Sequence, residues 1–387
     1  MDTQAVRHPD LCVDEDRLTR WNRPESRRWG FRNIHWLNRY GFSVRSSRIL
    51  PLRTRTIRQI GARPDVQRLV ANGMFDGMIV VQGQDILFER YAPDFGPDML
   101  HSIQSITKTT LNLIYGRLVA DGLIDLESRV EEHLPEIGSG YRGATVQQVL
   151  DMNVMNNFDE DYSTPYESPP GPGERTGYSR QEISMGWRLP PEGEEEMSLR
   201  AFIATLADDG TTNPDNQTCY KSPDTDVAAW IAERVSGRDL KCHLKDIAEG
   251  AGLERAFHMS LDCDFVPILS GGGSLTLRDL ARFGLLHARW GMGVDGKPVG
   301  DETFLRETMR SGGTDYPEPR KGQRYHNQIY TDGTMIGHGG FAGQYLMVRP
   351  DKEAVFDFFS VLETLHGDDP SYLPEVIAVG EEILNLL

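Results

Sequence analysis

The stretch HSIQSITKTTLNLIYGRLVADG, residues 101–122, sets Ser105 and Lys108 three positions apart at the head of an amphipathic helix. Helical positions three apart share a face, so the lysine amine can reach the serine hydroxyl. Serine attacks poorly at its own pKa and needs an adjacent base, and lysine serves when burial or nearby cations leave it neutral. A helix N-terminus adds N–H groups that favour a developing oxyanion. A capped helix with a solvated lysine would carry the same tetrapeptide. Each of the other lysines (221, 241, 245, 297, 321 and 352) has a residue other than serine three positions before it, and Lys108 lies among apolar neighbours.

Around this helix the chain changes character twice. Upstream, GMIVVQGQDILFERYA reads as two strands joined at Gly83-Gln84-Asp85. In the helix itself Leu111, Ile114, Leu118 and Val119 recur at helical spacing, and Gly122 is placed to end it. From 126 to 264 the pattern is short helical pieces (TVQQVLDM, SLRAFIATLADDG, DTDVAAWIAERVSG), broken by the Pro- and Gly-rich stretch YSTPYESPPGPGERTGYSRQE, expected as an irregular loop. The last section opens on Thr276 and Asp279, a capping-box pattern, and continues with strands GTMIGHGG, AGQYLMVRP and EAVFDFFSV and a closing amphipathic helix. With 387 residues, more than one hydrophobic core is expected. The expected organisation is an N-terminal extension (1–60), an α/β domain assembled from 61–125 and 265–387, and a mostly helical domain over 126–264.

A net charge of -17 excludes a nucleic-acid partner, because phosphate contacts need a basic field. Arginine is concentrated in the first sixty residues, but Asp10, Asp14, Glu15 and Asp16 break the acid-poor rule of transit peptides, so a folded extension is expected. No secretory leader pattern and no apolar run of membrane-spanning length occur. The cysteines at 12, 219, 242 and 263 form no CxxC or framework spacing, which fits a reducing compartment. A cytoplasmic protein without membrane association is the expectation.

Two further elements follow the SxxK unit in order: Tyr220-Lys221-Ser222 just before a helix, and His338-Gly339-Gly340 on a late strand. The order SxxK, YxS, then a polar residue before glycine resembles the serine β-lactamase and DD-peptidase superfamily, in its class C-like branch. SITKTTLNLIYGRLVADGLID, QQVLDMNVMNNFDEDY, YKSPDTDVAAWIAERVSG and HGGFAGQ are most similar to the 6-aminohexanoate-dimer hydrolases, which cleave nylon oligomers, and to related carboxylesterases. The resemblance runs from about residue 20 to the end. It implies an α+β fold of the class C β-lactamase type: an antiparallel sheet flanked by helices, plus a mostly helical insertion.

It also implies roles. Ser105 would be the acylated nucleophile, Lys108 its base, and Tyr220 the proton relay to the departing group, its phenol needing a cationic neighbour to work below its usual pKa near 10. The oxyanion would lie between the backbone N–H groups of Ser105 and Phe341, beside Gly339 and Gly340. Tyr162 matches a position that contacts amide substrates in the nylon-oligomer hydrolases, and Ser222 stands where many relatives carry asparagine. His338 replaces the permanent cation, and Gly339 the hydroxyl, that grip a β-lactam carboxylate, so antibiotic hydrolysis is disfavoured. No cofactor or metal is expected: no HExxH or i, i+4 histidine pair exists, and GMGVDGKP (291–298) lacks the Ser or Thr of a phosphate loop. The expected partner is a small amide or ester, with a homodimer left open. Acyl transfer, β-lactam hydrolysis and a non-catalytic sensor are the alternative functions.

Overall fold

The computed structural model describes residues 21–162, 176–317 and 320–387. A nine-stranded sheet carries the main core. Its order is Thr314–Asp315, Arg324–His326, Ile329–Thr331, Ile336–Gly340, Gln344–Arg349, Ala354–Ser360, Phe75–Gln82, Asp85–Tyr91 and Arg53–Thr54. Every pairing is antiparallel except the edge strand Arg53–Thr54, which runs parallel to Asp85–Tyr91. The strand Ala354–Ser360 is buried along its whole length and reads as a continuous apolar run broken only by Asp357, as befits a strand covered on both faces. Helix Leu277–Ala288 covers one face and the closing helix Tyr372–Leu386 the other.

The predicted hairpin closes at Gly83 and Gln84, and Thr276 caps Leu277–Ala288 by accepting from the Asp279 N–H. Gly122 takes φ +66°, which lets its N–H reach the Val119 carbonyl and that of Leu123 the Leu118 carbonyl, a Schellman stop.

The expected irregular stretch over 162–182 is corrected where it is described: Thr176–Gly177 pairs with Phe158–Asp159, and Tyr178–Ser184 is a helix. No proline follows until 190, so the helix can form and bury Tyr178 and Ile183. Residues 163–175 of that stretch lie outside the described residues.

A second, four-stranded sheet joins the parts that frame the site. Its order is Tyr40–Val44, Phe257–Leu261, Gly273–Leu275 and His101–Ser102. Helix Pro24–Leu37, begun by a proline at its first turn, docks beside it. Arg27 is fully buried there and donates to the Leu362 and Thr364 carbonyls at 2.5 and 2.6 Å, satisfying backbone that would otherwise be orphaned. Arg32 donates to both oxygens of buried Asp76, which also meets His101 Nε2 at 3.2 Å. Desolvation alone would raise the Asp76 carboxyl, but hydrogen bonds and charges from His101 and Arg32 outweigh it and hold the group down at about 2. The arginine-rich extension is thus tied by charge to the strand that leads into Ser105.

Candidate active site

Ser105 and Lys108 sit on a 3₁₀ turn, Gln104–Thr109, ahead of the α-helix Thr110–Ala120. The sequence predicts an α-helix here; the tighter winding matters because residues i and i+3 eclipse each other in a 3₁₀ turn. Lys108 Nζ therefore lies over Ser105 Oγ, 3.2 Å away. The turn is entered through Gln104 at φ +47°, the left-handed region, with its amide held by Ser102 Oγ at 2.8 Å. Gly273 receives this turn: its N–H donates to Thr107 Oγ1, and a Cβ there would stand 2.6 Å from that oxygen.

Lys108 is completely buried. Besides Ser105, its amine meets Ser222 Oγ at 2.9 Å and the Ser270 carbonyl at 2.5 Å. Burial pushes the amine down to about 8, against the opposing pull of Glu160, Asp226 and Asp224. It is thus exchangeable near neutral pH, as a base for serine must be.

Tyr220 joins from 112 residues further along the chain. Lys108 Nζ lies 5.0 Å from the centre of its ring, and Ser105 lies beside its phenol. Burial, then the neighbouring Tyr330 and Tyr325, raise the phenol well above its ordinary value, so it is a neutral proton donor. The distant tyrosine thus packs beside the local pair.

Sequence reasoning missed Glu160. Its Oε1 accepts from Ser222 Oγ at 2.7 Å and from the Tyr162 hydroxyl, and its Oε2 accepts from the Ser222 N–H. Ser222 thus bridges Lys108 to a carboxylate, which answers how the amine is held without the asparagine of relatives. The one signal in the sequence was proximity: Glu160 lies two residues before Tyr162. Two more carboxyls close the surroundings of Lys108. Asp226 Oδ1 accepts from the Ser270 N–H at 3.2 Å, and Asp224 accepts from the Tyr141 hydroxyl at 2.8 Å. Burial raises them to about 7 and about 8.

Tyr162 and Phe341 pack at a tilt along one wall of the cleft over Ser105, ring centres 5.1 Å apart. Trp187 and Met185 continue that wall. Trp21 from the N-terminal segment packs on both Trp187 and Phe341, so the extension buttresses the cleft. Strand Ile336–Gly340 passes directly beside the serine turn: a Cβ on Gly340 would stand 2.6 Å from the Ile103 carbonyl, so glycine is required. A Cβ on Gly339 would meet only ordinary contacts.

His338 lies on the Tyr220 flank, stacked on Tyr330 at 4.3 Å and 6.1 Å from the Tyr220 ring. Its Nδ1 faces the Gly339 carbonyl at 2.6 Å and so carries the proton, leaving Nε2 to accept from the Tyr325 hydroxyl at 3.3 Å. Burial, reinforced by the Lys108 charge, pushes the imidazole well below its usual range, so it is neutral.

A buried lysine whose pKa is lowered toward neutrality, set on a serine hydroxyl with a phenol close by, is the equipment of a serine hydrolase. The β-lactamase family model matches residues 55–374, and the chain belongs to that family. Over 366 residues it is 29% identical to the 6-aminohexanoate-dimer hydrolase of Paenarthrobacter ureafaciens, covering 90% of this chain and 89% of that one. A solved Bacillus anthracis protein, provisionally named a 6-aminohexanoate-dimer hydrolase, superposes with a TM-score of 0.79 at 20% identity over 98% of both chains. EstCE1, a hydrolase with promiscuous acyltransferase activity, shares the fold with a TM-score of 0.60 at 14% identity over 83% of this chain and 97% of its own. The chain is a hydrolase with the β-lactamase fold. Among the described residues no helix is long and apolar enough to cross a membrane, and no group of histidine, cysteine and carboxylate side chains could hold a metal ion.

Proposed function

We propose that the protein hydrolyses small linear amides or esters through an acyl-enzyme on Ser105, in the manner of the 6-aminohexanoate-dimer hydrolases and carboxylesterases it is similar to. Lys108 takes the Ser105 proton as Oγ bonds to the substrate carbonyl carbon. Tyr220 delivers a proton to the departing nitrogen or oxygen as the C–N or C–O bond breaks, and is reprotonated from Lys108. Water then attacks the acyl-enzyme, giving its proton back through the same groups and releasing the acid with Ser105 restored. The backbone N–H groups of Ser105 and Phe341 hold the oxyanion, and Tyr162 orients the amide. The observation that carries this reading is the 3.2 Å approach of the buried Lys108 amine to Ser105 Oγ. The neutral state of His338 supports the low expectation for β-lactams, since no cation stands there to grip a carboxylate. A cytoplasmic, cofactor-free enzyme is part of the same reading.

Intact-mass analysis after incubation with p-nitrophenyl butyrate, 6-aminohexanoate dimer and nitrocefin, on wild type and Ser105→Ala, tests it. Turnover of the ester or linear amide, little or none of nitrocefin, and no adduct in the variant are expected. A folded wild type that neither turns over nor is acylated by the ester and the amide would refute the reading and favour a non-catalytic binding role.

A further inference from the structure

The Phe341 ring is held largely by the N-terminal helix Pro24–Leu37 and the residues just before it. Its centre lies 6.4 Å from that of Trp21 and 6.3 Å from that of Phe31, and the Arg27 guanidinium stands 5.4 Å from it. Gly367, at φ +66°, comes so close that a Cβ there would stand 2.5 Å from Phe341 Cζ. Arg27 also reaches the main chain beside Phe341. Fully buried, it donates to the Leu362, Thr364 and Leu365 carbonyls at 2.5, 2.6 and 3.3 Å, and its Nε donates to the Asn22 carbonyl at 2.9 Å. Leu362 in turn donates its N–H to the Ala342 carbonyl at 3.0 Å. Two hydrogen bonds through Leu362 therefore link the guanidinium to the residue that follows Phe341.

The turn that carries Phe341 needs such an anchor. Ala342 sits in the left-handed region at φ +59°, a conformation that a residue with a Cβ keeps only where its surroundings impose it. The turn closes on itself through the Gly343 N–H and the Gly340 carbonyl, 3.2 Å apart, and Gly340 is pressed against the entry to the serine turn at Ile103 and Gln104. A small rotation here moves the Phe341 N–H relative to that of Ser105, and an oxyanion hole works only while both donors point at one position about 3 Å away. Arginine suits the task, because its planar fork of five donors can hold three carbonyls of one bend and Asn22 together, which a lysine amine cannot do in the same geometry.

We propose that Arg27 is a positioning residue for the reaction: by fastening residues 362–365 and backing the Phe341 ring, it keeps the Phe341 N–H in line with that of Ser105. The arginine-rich N-terminal segment then serves catalysis without touching substrate. This rests on the assignment of Ser105 and of the Phe341 N–H above, and adds the residue that holds the second donor in place. Trp21, packed on both Phe341 and Trp187, supports the same ring.

The test compares p-nitrophenyl butyrate with its thiono analogue, in which sulfur replaces the carbonyl oxygen; acyl chain and leaving group are the same, so the ratio reads the oxyanion hole. Active sites are counted by fluorophosphonate labelling of Ser105, which keeps unfolded protein out of the rates. Wild type is expected to favour the oxygen ester by about 10²-fold or more in kcat/KM, because sulfur is a weak acceptor. Arg27→Met should lower kcat on the oxygen ester by about 10- to 100-fold with KM within about threefold, and shrink the preference by a similar factor. Arg27→Lys keeps part of both. A variant that loses thermal stability but keeps the wild-type kcat and preference overturns the proposal, since Arg27 would then only brace the fold. A wild type that does not distinguish the two esters overturns it as well, and leaves the serine mechanism standing. Should Arg27→Met fail to fold, Arg27→Lys and Trp21→Leu decide, the latter expected to reduce the preference about three- to tenfold. Absence of a butyryl adduct on Ser105 of the wild type overturns both this proposal and the reading it rests on.

Discussion

Two buried clusters, one at Asp76 and His101 and the other at Lys108, only seven residues beyond His101, are tuned in opposite directions. At the clamp that fastens the N-terminal helix, Asp76 is held at about 2 by His101 and Arg32, so it stays ionised at any physiological pH. At the cleft, Lys108 is pushed down to about 8 while Asp226 and Asp224 are pushed up to about 7 and about 8. The first cluster pairs opposite charges and locks them; the second gathers groups whose protons exchange near neutrality. Buried charge fixes architecture where it is matched and supplies chemistry where it is left poised.

The comparison breaks most sharply at the lysine. Lys108→Ala should lower kcat/KM on p-nitrophenyl butyrate by at least about 10³-fold, as losing a member of a nucleophile–base unit does, while circular dichroism stays native. At the clamp the balance of effects reverses. Asp76→Ala leaves Arg32 buried without one of its partners and should cost about 3–5 kcal/mol of stability, read by denaturant unfolding, with Ser105 of the folded fraction still labelled. Because the folded Asp76 pKa is depressed, its contribution is present above pH 4 and is lost as pH falls from about 4 toward 2. Wild type and Asp76→Ala should therefore converge in stability over that window.

Glu160 tests whether the cleft cluster is tuned as a unit. Its charge favours the ammonium form of Lys108, so Glu160→Gln should move the rising limb of the pH–rate profile to lower pH. Loss of the Ser222 bridge should also cost about tenfold in kcat/KM, the worth of one charge-assisted hydrogen bond. A profile that moves to higher pH would contradict the assignment.

Asp357 gives a third, smaller contrast: fully buried in the middle of Ala354–Ser360, it has neither carboxyl oxygen hydrogen-bonded among the described residues. Burial raises it well above the usual range. Asp357→Val should stabilise the fold by about 1–3 kcal/mol at pH 7. The wild-type shortfall should grow as pH rises above about 4, because a raised folded pKa is favourable only while the group stays protonated.

What the sequence made legible follows from the range of the interactions. The serine–lysine pair, the Gly122 stop and the Thr276 cap are each settled within a few residues, and each is found where the pattern places it. Tyr220 emerged only through its resemblance to a family motif. The Ser222–Glu160 contact joins residues 62 apart, and nothing local marks it. Asp224 and Asp226 would read as solvated helix positions, yet both are buried, because every residue from Ser222 to Ala232 is covered by neighbouring helices. The helix Tyr178–Ser184 was hidden by the prolines and glycines just before it. Tertiary packing, absent from any local window, also set the 3₁₀ winding that brings Lys108 over Ser105.

The central claim is that Lys108, poised near neutrality, activates Ser105. The most direct measurement is the rate at which a fluorophosphonate labels Ser105 between pH 6 and pH 10, in wild type and Lys108→Ala, followed by intact mass. A rate rising with an apparent pKa near 8 in wild type, and near zero throughout in the variant, is the predicted result. Labelling that ignores pH, or that proceeds at the wild-type rate without the lysine, would contradict it.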